Sequence, residues 1–334
     1  MIKPVSKIKV MIILSPLLFA FCFLMIILCS LSFVSCQTSP KVINESRLQT
    51  TVPLDSGASV YLFADVDEMR FILDLLPVAE LKDKQVSQML DRTRSAAVAL
   101  FPKESGRQYQ ITAWGNYPNS GIAFAFSFDK NWKRQRAVQG YAYWYSSANR
   151  LSVALNARQI FAASWLKDQD NYNPMAASPG IEYPEGFAEF RKNAQARTAP
   201  LSCWFNDPEP LINQVLENIN IPIMIPAKKL FINLFPASNQ HRENSAVQDM
   251  YDAEIKLQFD SVSQARGIST ALGFASMFMP ALQSGNNSGD NSFLLLASIL
   301  FANPPVQDDS SINIKTASLS EKEIAQLFSI FYGR

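Results

Sequence analysis

The amino terminus limits which part of this chain can fold as a water-soluble domain. Lys3, Lys7 and Lys9 form a basic start, and no charged residue occurs from Val10 to Val34. A basic segment followed by an apolar one is the layout of a secretory signal peptide. The uncharged segment also exceeds the roughly 20 residues that span a hydrocarbon core, so a retained membrane anchor is the alternative. In both cases this segment lies outside any soluble core.

A cysteine, Cys36, ends this leader, with a serine before it and a polar stretch after it. A small residue directly before a cysteine resembles a bacterial lipobox, in which the cysteine receives diacylglycerol and becomes the new amino terminus. Phe33 replaces the usual aliphatic residue three positions earlier, which is a relaxed pattern typical of spirochaetes. We therefore predict a lipoprotein signal peptide over residues 1–35, lipid on Cys36 and a lipidated tether over residues 36–57, with a cleaved ordinary signal peptide or a retained anchor as the alternatives. Two or three acyl chains anchor a protein stably without a spanning helix.

The composition of the mature chain limits its partners. Removing residues 1–35 leaves 299 of the 334 residues, enough for one large domain or two of about 150 residues. Of the 30 basic residues 27 then remain against 29 acidic ones, so no basic stripe is available for a nucleic-acid backbone. With Cys36 acylated, Cys203 is the one thiol left. It therefore has no internal disulfide partner, and its apolar neighbours predict a small buried side chain.

The mature sequence contains two halves with the same order of predicted elements. VYLFADV at residues 60–66 and LSCWF at residues 201–205 predict a first strand in each half, and each is followed by apolar residues at helical spacing. The motif LFP follows in both halves, at residues 100–102 and 234–236. Alternating strands come next, and Ser320 with a glutamate three residues later predicts a capping box before a last helix.

These patterns predict an α+β fold of two related repeats, with antiparallel sheets covered by amphipathic helices. The first repeat is predicted over residues 58–165 and the second over residues 201–334, with a linker over residues 166–200. Within the first repeat, the alternation in GIAFAFSF (121–128) predicts a strand, and NARQIFAASW (156–165) predicts a closing helix. Two unrelated halves remain the alternative, because the match depends on element order and one short motif.

The second half contains a segment that is unusually poor in charge. From Gly267 to Gln307 the one charged residue is Asp290, which predicts an apolar helical hairpin over residues 268–301. A helix that is apolar almost all round is buried in protein or in lipid. The hairpin is therefore either ordinary core against a sheet, or a surface that lines an apolar cavity or enters a membrane leaflet. The predicted lipid-contacting side chains are Ile268, Leu272, Phe274, Met277, Phe278, Met279, Leu282, Phe293 and Leu295.

The connection INIPIMIP, residues 219–226, is apolar where a polar loop is the norm. Its two prolines exclude a regular helix. Ile221, Ile223 and Met224 are therefore predicted either to insert in a membrane or to form the floor of a pocket.

No catalytic or cofactor-binding motif is recognisable in the sequence. It has no GxSxG elbow, no phosphate-binding glycine-lysine loop, no HExxH helix and no CxxC pair. The single histidine, His241, lies in a polar run and is more typical of a solvated loop than of a catalyst. We therefore predict that the protein is not an enzyme and binds neither a cofactor nor a metal ion.

The relaxed lipobox, the internal duplication and the charge-poor helices together resemble the treponemal outer-membrane-associated lipoproteins. The resemblance covers residues 58–334 and concerns architecture and composition rather than a signature motif. It implies a two-repeat fold, lipid anchoring at the periplasmic face of the outer membrane, and apolar helices that enter the leaflet. It implies no catalytic residue.

Two further functions remain open at this point. The first is a carrier that holds a lipid or glycolipid in an apolar cavity between sheet and helices. The second is a plain structural or interaction lipoprotein whose helices are fully packed. Membrane lipid is the predicted partner in the main hypothesis, and bound acyl chains are the ligand of the carrier.

Overall fold

The computed structural model of the chain describes most of residues 57–164 and 199–324. The described residues are 54, 57–75, 90–102, 108–136, 142–148, 150–156, 158–164, 199–218, 224–237, 250–285, 299 and 302–324. The chain divides into two compact units, with the division between Arg197 and Thr198. The predicted linker, residues 166–200, lies outside the described residues except for residues 199 and 200.

The first unit mixes seven described strands with two described helices. Its elements are β1 (Val60–Asp65), α1 (Arg70–Leu75), β2 (Thr93–Leu100), β3 (Tyr109–Gly115), α2 (Asn119–Phe128), β4 (Trp132–Arg136), β5 (Ala142–Ser146), β6 (Leu151–Asn156) and β7 (Gln159–Ala163). The strands pair antiparallel in the order β1-β2-β3-β7-β6-β5-β4. β4 thus ends this series and pairs with β5 alone among the described strands.

The second unit has the same kinds of element in a shorter series. Its elements are β8 (Leu201–Asn206), α3 (Glu209–Asn218), β9 (Lys229–Pro236), β10 (Met250–Gln258), α4 (Val262–Gly285), β11 (Val306–Asp308), β12 (Ser311–Lys315) and β13 (Leu319–Ser320). The strands pair antiparallel in the order β8-β9-β10-β12-β11, and β13 pairs with β10. Both units are therefore mixed helix and strand with antiparallel pairing.

A hydrophobic cluster of the second unit lies on one face of its strands. Leu230, Leu257 and Ile312 lie opposite one another in register across β9, β10 and β12. They belong to one hydrophobic cluster with Ala265 and Leu272 of α4. The opposite face of β10 and β12 is more polar, and there Lys315 Nζ lies 2.8 Å from Glu254 Oε1.

The predicted capping box at Ser320 is confirmed. The Ser320 N–H donates to Glu323 Oε2 at 2.8 Å, and the Glu323 N–H donates to Ser320 Oγ at 3.3 Å. These reciprocal bonds satisfy two backbone donors at the start of the helix over residues 321–324.

The strand predicted for residues 121–128 is wrong, because these residues form most of α2. Alternating Ala and Phe satisfy a period of two, but Ile122, Ala125 and Phe126 also recur at helical spacing. Those three side chains are buried, whereas Phe124 and Phe128 are exposed. Packing of the first set against the strands selects the helix.

The closing helix predicted for residues 156–165 is also wrong. Gln159–Ala163 form β7, which pairs with β3 on one side and with β6 on the other. Ile160 to Ala163 are all buried. A central strand that is buried on both faces loses the alternation by which strands are recognised, so its sequence imitates a buried helix.

Candidate functional site

The first half of α4 is held against the core by a short row of apolar side chains. The Ser261 hydroxyl accepts the Gln264 N–H at 3.3 Å at the start of the helix. Ala265 and Leu272 are buried, and Ile268 packs against the same hydrophobic cluster. This row at a spacing of three and four residues fixes which face of α4 points away from the strands.

The outward face of α4 changes from polar to apolar along the helix. Arg266 and Thr270 are exposed near its start, and the Thr270 hydroxyl donates to the Arg266 carbonyl at 2.8 Å. Phe274 and Met277 follow on the same face, with 58% and 75% of their surface exposed. Residues three or four positions apart are neighbours on a helix. Phe274 and Met277 thus form an exposed apolar patch, named here the α4 patch.

Met224 is a further exposed apolar side chain of the second unit, with 72% of its surface exposed. Its neighbour Ile225 is buried in the cluster that also contains Leu272. The Ile225 N–H donates to the Asn213 side-chain oxygen at 2.7 Å, which ties this connection to α3. Met224 therefore lies next to the hydrophobic cluster that packs against α4, and its side chain points to solvent.

The predicted lipid-contacting residues divide into three groups. Phe274, Met277 and Met224 are exposed, as a contact with lipid requires. Ile268 and Leu272 pack into the core beneath α4, so they support the patch instead of belonging to it. The remaining predicted residues lie outside the described residues or have side chains that are not described: Cys36, Ile221, Ile223, Phe278, Met279, Leu282, Phe293 and Leu295.

Sequence reasoning missed an exposed aromatic pair on α2. Phe124 and Phe128 are 60% and 72% exposed, and their ring centroids lie 4.4 Å apart. Their spacing of four residues was the available signal, because two phenylalanines at that spacing share one helix face. The strand prediction for residues 121–128 concealed it.

The described residues offer little reactive chemistry. Burial raises the pKa of the Cys203 thiol to about 12, so the thiol stays protonated near neutral pH. Burial likewise raises the pKa of the Tyr109 and Tyr117 hydroxyls above their ordinary value. Within the described ranges, no group of three or more His, Cys, Asp or Glu side chains is placed to hold a metal ion.

No helix within the described residues is both long and apolar enough to cross a membrane. α4 has the length, with 24 residues, but its first turns present polar side chains to solvent.

Comparison with known protein families matches residues 49–292 to the family described as outer membrane-associated lipoprotein TP0453. The chain belongs to this family. The match confirms the resemblance to treponemal lipoproteins and associates the protein with the outer membrane. The family is described as a membrane-associated lipoprotein and not as a known enzyme.

Solved structures of TP0453 share the fold of this chain. Crystal form III matches with a TM-score of 0.51 and 16% identity, over 82% of this chain and 95% of that chain. Crystal form IV matches with a TM-score of 0.50 and 17% identity, over 82% of this chain and 94% of that chain. At this identity the likeness concerns the fold alone. No curated protein matches the sequence.

Proposed function

We propose that this member of the TP0453 family is anchored by lipid on Cys36 at the periplasmic face of the outer membrane and contacts that leaflet through the α4 patch. In this proposal the acyl chains deliver the protein and the folded domain makes a second, weaker contact. The role is non-enzymatic, because it requires binding and no bond making.

The exposure of Phe274 and Met277 is the observation that carries this proposal. Soluble proteins expose single apolar side chains routinely, but clustered ones often mark a contact surface. Full burial of a Phe or Met side chain is worth about 1.5–3 kcal/mol. Two such side chains give a contact comparable to the marginal, reversible binding of one myristoyl chain. This strength suits a contact that supplements a permanent anchor.

The order of residues along α4 supports a particular orientation. Arg266 and Thr270 occupy the outward face before Phe274 and Met277. Transfer of apolar surface out of water is favourable, so the apolar end of this face is the end that would meet the leaflet. Met224, which lies next to the same hydrophobic cluster, adds to the apolar side of that contact.

We also infer that the two units are repeats of one ancestral unit, with helices that cover one sheet face in each. Each unit has the order strand, helix, two strands, helix, strands within the described residues. α2 and α4 occupy the same position in that order, after the third strand. Both helices bury one face and expose phenylalanine on the other. A duplicated unit would thus provide two lipid-facing helices.

The proposal is tested by flotation of the mature chain with liposomes. Residues 36–334 with Cys36→Ser carry no lipid, so any flotation reports the folded domain. We expect Phe274→Asp with Met277→Asp to reduce the vesicle-bound fraction at least about tenfold, since it removes apolar contact and adds charge. Val306→Asp is the matched control because Val306 is 62% exposed in the same unit.

The control lies on the opposite face of the second unit. Val306 is in register with Asn313, whereas the neighbouring Gln307 is in register with Ile312 of the α4-bearing face. Equal flotation of the α4 variant and the parent chain would overturn the leaflet contact. If the parent chain does not float at all but retains a lipid through purification, the carrier function replaces this proposal.

A further inference from the structure

The outward face of α2 combines an aromatic pair with an adjacent basic strand. Phe124 and Phe128 are in contact and exposed, while Phe126 between them is buried. α2 itself carries no charged residue. β4, which follows after three residues, reads WKRQR, and its first residue alone is buried.

Charge is unbalanced around this helix. Residues 119–136 contain Lys130, Lys133, Arg134 and Arg136 against one carboxylate, Asp129. The four basic side chains are exposed, and none forms an ion pair with another described residue. The Asp129 carboxylate is engaged locally, since its Oδ1 accepts the Asn131 N–H at 2.9 Å. The local excess of three positive charges contrasts with the net charge of +1 for the whole chain.

The register of β4 and β5 decides which basic side chains share a face with α2. Trp132, Arg134 and Arg136 alternate onto one face of β4, and Lys133 points to the other. The Phe126 ring of α2 lies 4.3 Å from the Trp132 ring and 5.6 Å from the Trp144 ring of β5. Trp132 therefore faces α2, and Arg134 and Arg136 lie on that same face.

The position of Arg134 is further restrained by an aromatic ring. Trp144 is in register with Arg134, and the Arg134 guanidinium carbon lies 5.8 Å from the centre of its ring. A cation over an indole face is attracted by the ring and keeps its N–H donors available at the edge. The guanidinium is thus held beside α2, and no acceptor among the described residues occupies its N–H donors, so an acceptor outside the protein can reach them.

We propose that Phe124, Phe128, Arg134 and Arg136 form a second membrane-contact surface that selects anionic phospholipid headgroups. This inference rests on the proposed function and extends it by naming the lipid class. Guanidinium groups bind phosphate oxygens with two parallel hydrogen bonds. Aromatic rings beside them reach the boundary between headgroups and acyl chains. The combination fits a negatively charged bilayer surface better than an acidic protein. Both can bind the arginines, but only the bilayer also has an apolar layer that the phenylalanines can enter.

Basic residues on an edge strand also discourage pairing with other strands. That role does not depend on which face a side chain occupies, whereas headgroup binding does. Lys133 therefore provides a control with the same loss of charge on the same strand but on the opposite face.

The test measures binding of residues 36–334 carrying Cys36→Ser to two kinds of vesicle. One is phosphatidylcholine alone, and the other contains about one third phosphatidylglycerol as the anionic lipid. A basic residue near an anionic surface changes binding by about fivefold. We expect tighter binding to the anionic vesicles, weakened by salt. Arg134→Gln with Arg136→Gln should lose about 25-fold of that preference and Lys133→Gln much less. Circular dichroism and the thermal midpoint confirm that each variant is folded.

Three results would overturn the inference. The first is equal binding of the parent chain to both vesicle types, in which case an acidic protein becomes the better partner for this surface. The second is binding of the double arginine variant to anionic vesicles with the affinity of the parent. The third is a loss in Lys133→Gln that equals, per charge removed, the loss in the double variant, because the face of the strand would then be irrelevant. The substitutions in β4 leave the α4 patch intact. Loss of the preference for anionic vesicles, with binding to neutral vesicles retained, would therefore concern this inference alone and not the proposed function.

Discussion

Gly115 shows at the residue scale how closely two backbone segments approach in the first unit. It ends β3, where its register with Thr93 is followed by an irregularity before Ser95. The Asn116 N–H donates to the Arg92 carbonyl at 2.8 Å, which draws the two segments together. A Cβ atom on Gly115 would overlap that same carbonyl.

We expect Gly115→Ala to destabilise the protein by about 1–3 kcal/mol, because backbone atoms must shift to admit the methyl group. Thermal or urea unfolding measures this change. Gly267→Ala is the matched control, since a Cβ at that exposed position of α4 meets no atom within 4 Å. There the same substitution should stabilise the helix by about 0.5–1 kcal/mol. An unchanged free energy of unfolding in Gly115→Ala would mean that the two backbone segments can move apart without loss of stability.

At the scale of elements, the sequence predicted several of the described strands, including β1 and β8, from apolar runs. α2 and β7 were mispredicted because each is a short apolar segment, for which periods of two and of 3.6 are hard to separate. Contacts distant in sequence decide these cases. Phe126 of α2 meets Trp132 and Trp144, and β7 is enclosed between β3 and β6.

The two faces of α2 should respond differently to truncation. We expect Phe126→Ala to cost about 3–5 kcal/mol, because it leaves a cavity beneath the helix among buried aromatic rings. Phe128→Ala should change the free energy of unfolding by less than about 0.5 kcal/mol, since its side chain is exposed. Chemical denaturation of both variants provides the comparison. A large loss of stability in Phe128→Ala would place that ring in the core and would contradict a role for it at a membrane surface.

The same reasoning explains how much of the candidate site was predictable. Phe274, Met277 and Met224 were recognised because they lie in segments with too little charge for ordinary surface. Ile268 and Leu272 lie in the same segment, but their burial depends on β10 and β12, which no local pattern reports. The basic face of β4 was missed because its assignment requires the register with β5 and the contact of Trp132 with α2.

At the scale of the whole molecule, a lipid anchor and a leaflet contact differ in strength. Burial of an acyl chain contributes about 0.8 kcal/mol per methylene group, and two or three chains anchor a protein stably. In the proposed function the two side chains of the α4 patch would contribute about 1.5–3 kcal/mol each. The anchor would then determine where the protein resides, and the patch would determine how the domain lies against the leaflet.

We accordingly expect Cys36→Ser, in the full chain expressed in its cell, to abolish incorporation of labelled fatty acid and to release most of the protein from washed membranes. The acylated chain with Phe274→Asp and Met277→Asp should stay in the membrane fraction, because its acyl chains suffice. Cell fractionation with a carbonate wash and fatty-acid labelling measures both effects. If Cys36→Ser remains in washed membranes even when combined with the α4 substitutions, residues 10–34 are retained as a membrane anchor. In that case the leader, and not lipid, holds the domain at the surface where its apolar side chains act.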